Sequence, residues 1–506
     1  MIIFINRLIQ WLLPFICAVG IAQSVQRKPN IVLIYIDDLG YGDLSINGAI
    51  GVETPNVDAL ARGGINFSDA HSPAATCTPS RYSLLTGEYA FRRKAAILEG
   101  DAPLIIDTDK ETLPKMLKKA GYTTGVIGKW HLGLGTGDVN WNDRVAPGPA
   151  EVGFDYSFLI PATGDRVPTV FLENQRVYNL QKDDPIYISY DAIIEEGYPI
   201  GKDHPELLKQ FTDSYHLGAV TNGISRIGYM KGGTQALWID EKLPFVLHDK
   251  ATDFITKNKK TPFFLYYSFH DIHQPRLPNQ KFIESSEMGP RGDVIAQMDW
   301  FVGQLMNQLE EEGLIENTLL IFTSDNGPIL DDGYVDYARA LVGKHKPAGI
   351  YSGSKYSVYE GGTRVPTIIY WKDKIKPANS EALLSQVDLY ASLAELVGCE
   401  LDLNEARDSQ QLLNAWLGKT DEGRTVLLEE AYTYGLRKGK WKYIKPKLNA
   451  TIPKWIADKY VDPGFNSGPQ LFNLITDPEE KNNISEKNPD LVNQLESELQ
   501  EILDSN

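Results

Sequence analysis

An α/β fold, with a mainly parallel sheet covered by helices on both faces, is the architecture this sequence predicts. Two observations carry it. Apolar runs without polar alternation recur in the N-terminal part of the chain, and segments of helical period separate them. The first run is Asn30–Ile36, and the second, Tyr122–Ile127, follows a helical segment at Thr112–Ala120. Pro262–Phe269 and Leu319–Thr323 come next, with the long helical segment Asp293–Glu312 between them. Polar chemistry stands directly after every run: Asp37-Asp38, Lys129-Trp130-His131, His270-Asp271-Ile272-His273 and Asp325-Asn326-Gly327. In open α/β sheets ligands bind beyond the carboxyl ends of the strands, so these ends predict one shared site.

From about Phe158 to Phe245 the chain is rich in Gly, Pro, Tyr and charge, with Gly228-Tyr229-Met230-Lys231-Gly232-Gly233 as an example and no sustained period. Such insertions are binding loops or surface decoration. After about Leu384 the pattern turns to helices, then to short antiparallel strands at Arg437–Ile444 and Gln470–Leu474, and to a terminal amphipathic helix at Asn488–Leu503. A chain of 506 residues exceeds one small core. The expected organisation is a catalytic domain over 23–383 and a smaller sheet-and-helix subdomain over 384–506.

Apolar content of 42% and charged content of 23% are those of an ordinary globular protein. The formal charge of −17 argues against nucleic acid or an acidic membrane surface as partner. An anionic substrate would therefore need a local cationic pocket and a metal. Arg7 followed by the apolar run Leu8–Ala22, with small residues at Gly20 and Ala22, has the form of a cleaved signal peptide over 1–22. It implies a secreted or periplasmic protein without stable membrane insertion. A surface lipoprotein attached through Cys17 is disfavoured by Ile16 before it. Beyond the leader only Cys77 and Cys399 remain, so no disulfide framework is expected.

The motif Cys77-Thr78-Pro79-Ser80-Arg81 is the most informative stretch. Pro79 suits the first turn of a helix that Ser80–Leu85 can continue, which puts Cys77 at a helix N-terminus, where free N–H groups favour an anion. Arg81, one turn along, is expected to return its guanidinium toward residue 77. Asp37, Asp38, Asp325 and Asn326 offer an all-oxygen ligand set for a hard divalent cation, Ca²⁺ in preference to Mg²⁺. Taken singly, each of these residues has a plain structural explanation: a buried thiol, a solvated turn, a surface lysine.

Taken together with the flanks His71–Thr76 and Tyr82–Gly87, the cysteine motif resembles that of the type I, formylglycine-dependent sulfatases. Gly128-Lys129-Trp130-His131-Leu132-Gly133 matches a further block of that family, as do Asp271-Ile272-His273-Gln274-Pro275 and Lys355 ahead of Glu360-Gly361-Gly362-Thr363-Arg364-Val365-Pro366. The resemblance implies the alkaline-phosphatase-like fold. It also implies oxidation of Cys77 to formylglycine (3-oxoalanine) by a maturation enzyme, with residue 77 joining the metal ligands. Hydrated, residue 77 would attack sulfur in line through one hydroxyl and expel sulfate by C–O cleavage when the other loses its proton. The resemblance assigns that proton to His131 and leaving-group protonation to His273, helped by Lys355. Arg81, Lys129 and Lys355 would neutralise the sulfate oxygens. Thr163–Asn174 looks like the galactose or N-acetylgalactosamine 6-sulfatases, which makes Thr163, Asp165 and Arg166 candidate substrate contacts; Thr163 stands where the family often has a Ser. The expected activity is hydrolysis of sulfate monoesters on polysaccharide fragments. The rivals are a phosphatase or phosphonate monoester hydrolase on the same fold, and a glycan-binding protein with Cys77 unmodified.

Overall fold

The computed structural model describes residues 28–401, 405–448 and 451–505. The leader expected over 1–22 lies outside them. The large sheet is built from β1 (Asn30–Ile36), β2 (Ile65–Phe67), β3 (Thr123–Lys129), β4 (Tyr156–Ile160), β5 (Leu172–Glu173), β6 (Arg176–Val177), β7 (Phe263–Ser268), β8 (Thr318–Ser324), β9 (Thr367–Tyr370) and β10 (Ala378–Ser380). Their spatial order is β10-β2-β9-β8-β1-β7-β3-β4-β5-β6. The central run β8-β1-β7-β3-β4 is parallel throughout, and antiparallel pairs β8–β9 and β4–β5 flank it.

Both faces of the sheet are buried, which is why its strands show no polar alternation. In β1 the side chains of Ile31, Leu33 and Tyr35 join one core and those of Val32, Ile34 and Ile36 the other. The second core is closed by α1 (Pro55–Gly63), α4 (Leu243–Asn258) and α5 (Pro290–Glu311), through Leu60, Phe254 and Met298 among others. The first is closed by α2 (Cys77–Thr86), α3 (Leu113–Lys119) and α6 (Leu389–Val397), through Leu85, Leu117 and Leu393. Thus α6, C-terminal to residue 383, packs in the core of the large sheet.

The C-terminal four-stranded antiparallel sheet runs β11 (Val426–Glu430), β12 (Tyr434–Lys438), β13 (Trp441–Ile444), β14 (Gln470–Asn473) in spatial order. The stretch Arg437–Ile444, expected among the short antiparallel strands, holds the β12–β13 turn, where Gly439 sits at φ 55°. Helix α7 (Pro489–Asp504) lays Val492, Leu495 and Leu499 on Leu436, Tyr443 and Leu471. This subdomain grips the segment leading to Cys77: Ala75 N donates to Glu430 O at 2.7 Å and Glu430 N to Pro73 O at 3.3 Å.

Candidate active site

Four parallel strands deliver their following residues to one place. Gly128, at φ 106°, permits the close approach of β3 to β7, since a Cβ there would overlap the Ser268 carbonyl oxygen. The chain then carries Lys129 and His131 across the sheet end, with His131 itself left-handed at φ 53°. Cys77 is the first residue of α2, as Pro79 suggested.

Cys77 Sγ lies 3.3 Å from His131 Nδ1. The other ring nitrogen, Nε2, is 2.9 Å from the Leu98 carbonyl, which can only accept, so Nε2 carries the hydrogen and Nδ1 turns its lone pair to residue 77. Burial, then the charge of Lys129, holds His131 well below its usual pKa and keeps it neutral. Burial pushes the Cys77 thiol up.

Asp37, Asp38 and Asp325 bring carboxylate oxygens within 4.8 Å of one another. Lys129 Nζ donates to both oxygens of Asp37 at 2.7 Å. His270 Nδ1 donates to Asp37 at 2.9 Å, while its Nε2 accepts from Gly164 N. Burial would raise Asp37, but Lys129 and the histidines outweigh it and hold it well below the carboxylate range. Asp38 is different: burial and the charges of Asp37 and Asp325 overcome Lys355 and push it up to about 6. Asn326 Nδ2 donates to Asp38 Oδ1 at 2.8 Å, which leaves Asn326 Oδ1 buried with no partner. Crowded carboxylates and an orphaned amide oxygen are what a divalent cation would satisfy, so the residues fit one.

Arg81 departs from expectation. Its Nε and Nη2 donate to Asp325 Oδ2 at 3.0 and 2.7 Å and its Nη1 to the Lys129 carbonyl, because a fully buried guanidinium requires a carboxylate partner. Arg81 and Lys129 thus hold the carboxylates of Asp325 and Asp37 and do not line the cavity above Cys77. That cavity, of about 400 Å³, does take in Cys77, His131, His273, Lys355, Asp165 and Arg166. Thr163 is a second departure: its hydroxyl accepts from Arg166 Nη1 at 2.6 Å and is absent from the lining, so it orients the arginine.

Several lining residues escaped the sequence reading. Asp332 accepts from Lys355 Nζ at 2.9 Å, from the Tyr356 hydroxyl at 3.0 Å and from Lys459 Nζ at 2.8 Å. Burial opposes its charge, but Lys355 and Lys459 hold it well below the carboxylate range. Lys355 is shared between Asp332 and Asp38, each at 2.9 Å. His216 lies 3.4 Å from Asp165 and 2.7 Å from Asp213, and those carboxylates raise it against its burial. His270, three residues before His273, does not line this cavity and instead supports Asp37. His273 Nδ1 donates to the Gln274 carbonyl at 2.6 Å, which turns Nε2 toward Asp38 and Asp332 at 4.0 Å each.

The family model described as sulfatase matches residues 29–399. The chain belongs to the sulfatase family. It is accordingly a sulfuric ester hydrolase of a formylglycine-dependent, metal-binding family. An N-acetylgalactosamine-6-O-sulfatase of Bacteroides thetaiotaomicron is 45% identical, over 98% of this chain and 99% of that one. A solved structure concerned with metabolism of multiple glycosaminoglycans by Bacteroides thetaiotaomicron matches with a TM-score of 0.92 at 46% identity, over 95% of this chain and 100% of that one. The phosphonate monoester hydrolase of Agrobacterium radiobacter is far more distant, with a TM-score of 0.55 at 17% identity over 94% and 95% of the two chains. That likeness speaks of the alkaline-phosphatase-like fold alone. Among the described residues no helix is long and apolar enough to cross a membrane.

Proposed function

We propose that this sulfatase removes 6-O-sulfate from galactose or N-acetylgalactosamine at the end of a sulfated polysaccharide, outside the cytoplasm, after a maturation enzyme has converted Cys77 to formylglycine. The observation that carries the reading is the pairing of Cys77 with an unprotonated His131 Nδ1 at the floor of a sugar-sized cavity. The sugar assignment is supported by the N-acetylgalactosamine-6-O-sulfatase relative and by Asp165 and Arg166 in the lining. Asp37, Asp38, Asp325 and Asn326, with the oxidised residue 77, would hold a divalent ion, Ca²⁺ in preference to Mg²⁺, because the ligands are many and protein-derived. Bound there, it would supply positive charge to the sulfate and acidity to the nucleophile.

Each side chain then has a defined task. Cys77 Sγ stands where the reacting oxygens of the hydrated residue would be, and His131 Nδ1 receives a proton from them. His131 Nε2, fixed on Leu98 O, keeps the ring from turning. Lys129 keeps Asp37 ionised, and Arg81 holds Asp325 in place. Lys355 donates to sulfate oxygen; with Asp332 and Asp38 raising its pKa against burial, it gives up a proton reluctantly, which leaves leaving-group protonation to His273. The neutral His273 ring keeps its hydrogen on Nδ1, so it serves as the acid once Nε2 is also protonated beside bound sulfate. That proton is worth roughly 10²–10⁴-fold on a sugar leaving group. Asp165 and Arg166, oriented by Thr163 and His216, receive the sugar hydroxyls.

Intact-mass measurement of native-host protein tests the nucleophile: CH₂SH should be replaced by CHO at residue 77. Sulfate release from a panel of 6-, 4-, 3- and 2-sulfated galactose and glucosamine oligosaccharides tests the substrate. Cleavage confined to internal residues, or to positions other than 6, would refute it.

A further inference from the structure

Besides its charged groups, the cavity is lined by four tyrosine and tryptophan rings, Tyr215, Tyr356, Tyr432 and Trp455, of which the last three pack on one another. Tyr356 and Trp455 meet at 5.2 Å and 90°, and Tyr432 and Trp455 at 5.9 Å and 76°. Tyr356 is buried and committed through its hydroxyl to Asp332, whereas Tyr432 and Trp455 are only half-buried. Tyr432 and Trp455 pack, partly buried, against the apolar cluster of Ile329, Tyr356, Ile456 and Val461, and the same two rings line the cavity.

This segment is also tied to the catalytic floor. Trp455 lies in a one-turn helix, Lys454–Ala457, and Lys459 just beyond it reaches Asp332 at 2.8 Å. Asp332 in turn holds Lys355, so the indole is registered against the same carboxylate that sets the sulfate-facing lysine. The Lys459 carbonyl accepts from Arg339 Nη2 at 3.2 Å, a second tether.

We infer that Trp455, with Tyr432, is a specificity-determining platform on which the sulfated pyranose stacks, and that it favours the galacto configuration. The inference rests on the carbohydrate reading above. An axial O4 leaves the C–H groups at C3, C4 and C5 on one side of the ring, a continuous apolar patch that an indole face can cover. In the gluco epimer an equatorial O4 breaks up that patch. Charged groups such as Asp165 and Arg166 can bind hydroxyls on the ring edge but offer nothing to its apolar face.

The test compares mature parent enzyme with Trp455→Ala, Trp455→Phe and Tyr432→Ala on galactose 6-sulfate and glucose 6-sulfate. Trp455→Ala should raise KM for the galacto substrate roughly tenfold, equivalent to about 1.4 kcal/mol, with kcat little changed, and should erode the galacto-over-gluco preference. Trp455→Phe should recover most of the loss, and Tyr432→Ala should show a smaller shift of the same kind. Calorimetric titration of galactose 6-sulfate into Cys77→Ala protein, with and without Trp455→Phe and Trp455→Ala, reads the same contact without turnover. Unchanged KM, preference and affinity in Trp455→Ala would overturn the platform alone. A parent enzyme that cleaves aryl sulfates but neither binds nor cleaves any sugar sulfate would overturn the carbohydrate reading and the platform with it.

Discussion

Two buried charge clusters in this protein look alike by composition and differ in what surrounds them. At the sheet end, Asp37, Asp38, Asp325 and Asp332 meet Arg81, Lys129, Lys355 and Lys459. Between the large sheet and the C-terminal sheet, Asp69, Glu360, Glu429 and Glu480 meet Arg364, Arg437 and Lys442, with His71 among them. Each cluster contains three groups close enough to hold a cation: Asp37, Asp38 and Asp325 in one, Asp69, His71 and Glu360 in the other. In the interface cluster, guanidinium and ammonium groups already occupy the space between the carboxylates, as Arg437 does in bridging Asp69 at 2.9 Å and Glu360 at 3.1 Å. Both clusters keep buried atoms without a hydrogen-bond partner, Asn326 Oδ1 at the sheet end and Glu480 Oε1 and Arg437 Nε in the interface. Both hold a carboxyl that is pushed up, Asp38 to about 6 and Glu480 to about 8. The sheet end differs in that a cavity adjoins it. Buried charge marks a site where a cavity gives a ligand access to it.

Cys77→Ala should separate the two clusters most sharply. Turnover should fall to the uncatalysed background while urea unfolding stays near that of the parent, because nothing in the buried charge networks depends on the thiol. Residual catalysis would remove residue 77 from its assigned role. Lys442→Met should do the reverse. It strands Glu360, Glu429 and Glu480 without their common cation and should cost about 3–5 kcal/mol in urea unfolding, with kcat per folded molecule little changed. A loss of kcat at full stability would mean that the interface takes part in the chemistry.

Metal analysis should find one divalent ion per chain, held at the sheet end. Stripping it with EDTA should abolish activity and lower the unfolding temperature, and Ca²⁺ at a hundredfold above Kd should restore about 2.7 kcal/mol. Two ions per chain would place one in the interface cluster and make the two clusters equivalent as cation sites. An effect visible only on changing pH concerns Glu430, whose backbone holds the Pro73–Ala75 segment and whose carboxyl, burial outweighing one bond from Phe91 N, is raised from 4.5 to about 8. The folded state therefore binds this proton more tightly than the unfolded chain. Its contribution is full below pH 4.5 and is lost as pH rises through about 8, with a slope of at most about 1.4 kcal/mol per pH unit. Glu430→Gln should match the parent near pH 4 and exceed it near pH 9. Parallel stability curves would show that the carboxyl is not held protonated.

Much of this was legible from the chain. The strands came through because a sheet buried on both faces needs uninterrupted apolar runs, and the run Asn30–Ile36 coincides with β1. The helix start at Cys77 was legible because Pro79 restricts the backbone locally. The Phe158–Phe245 insertion showed no period, yet it supplies Asp165, Arg166 and His216 to the cavity. Their selection from many polar residues in that stretch depends on loop placement, which leaves no periodic trace.

The chain alone settled the local features: which segments become strands, that Cys77 begins a helix, and which carboxylates stand at strand ends. Only the tertiary structure decided how the charges pair. It gave Arg81 to Asp325, Thr163 to Arg166, and Asp332 to both Lys355 and Lys459, partners up to 244 residues apart. The reason is physical. Strand formation follows from side-chain character within a few neighbouring residues, whereas a buried charge is stable only beside whatever opposite charge the packed fold brings within bonding distance.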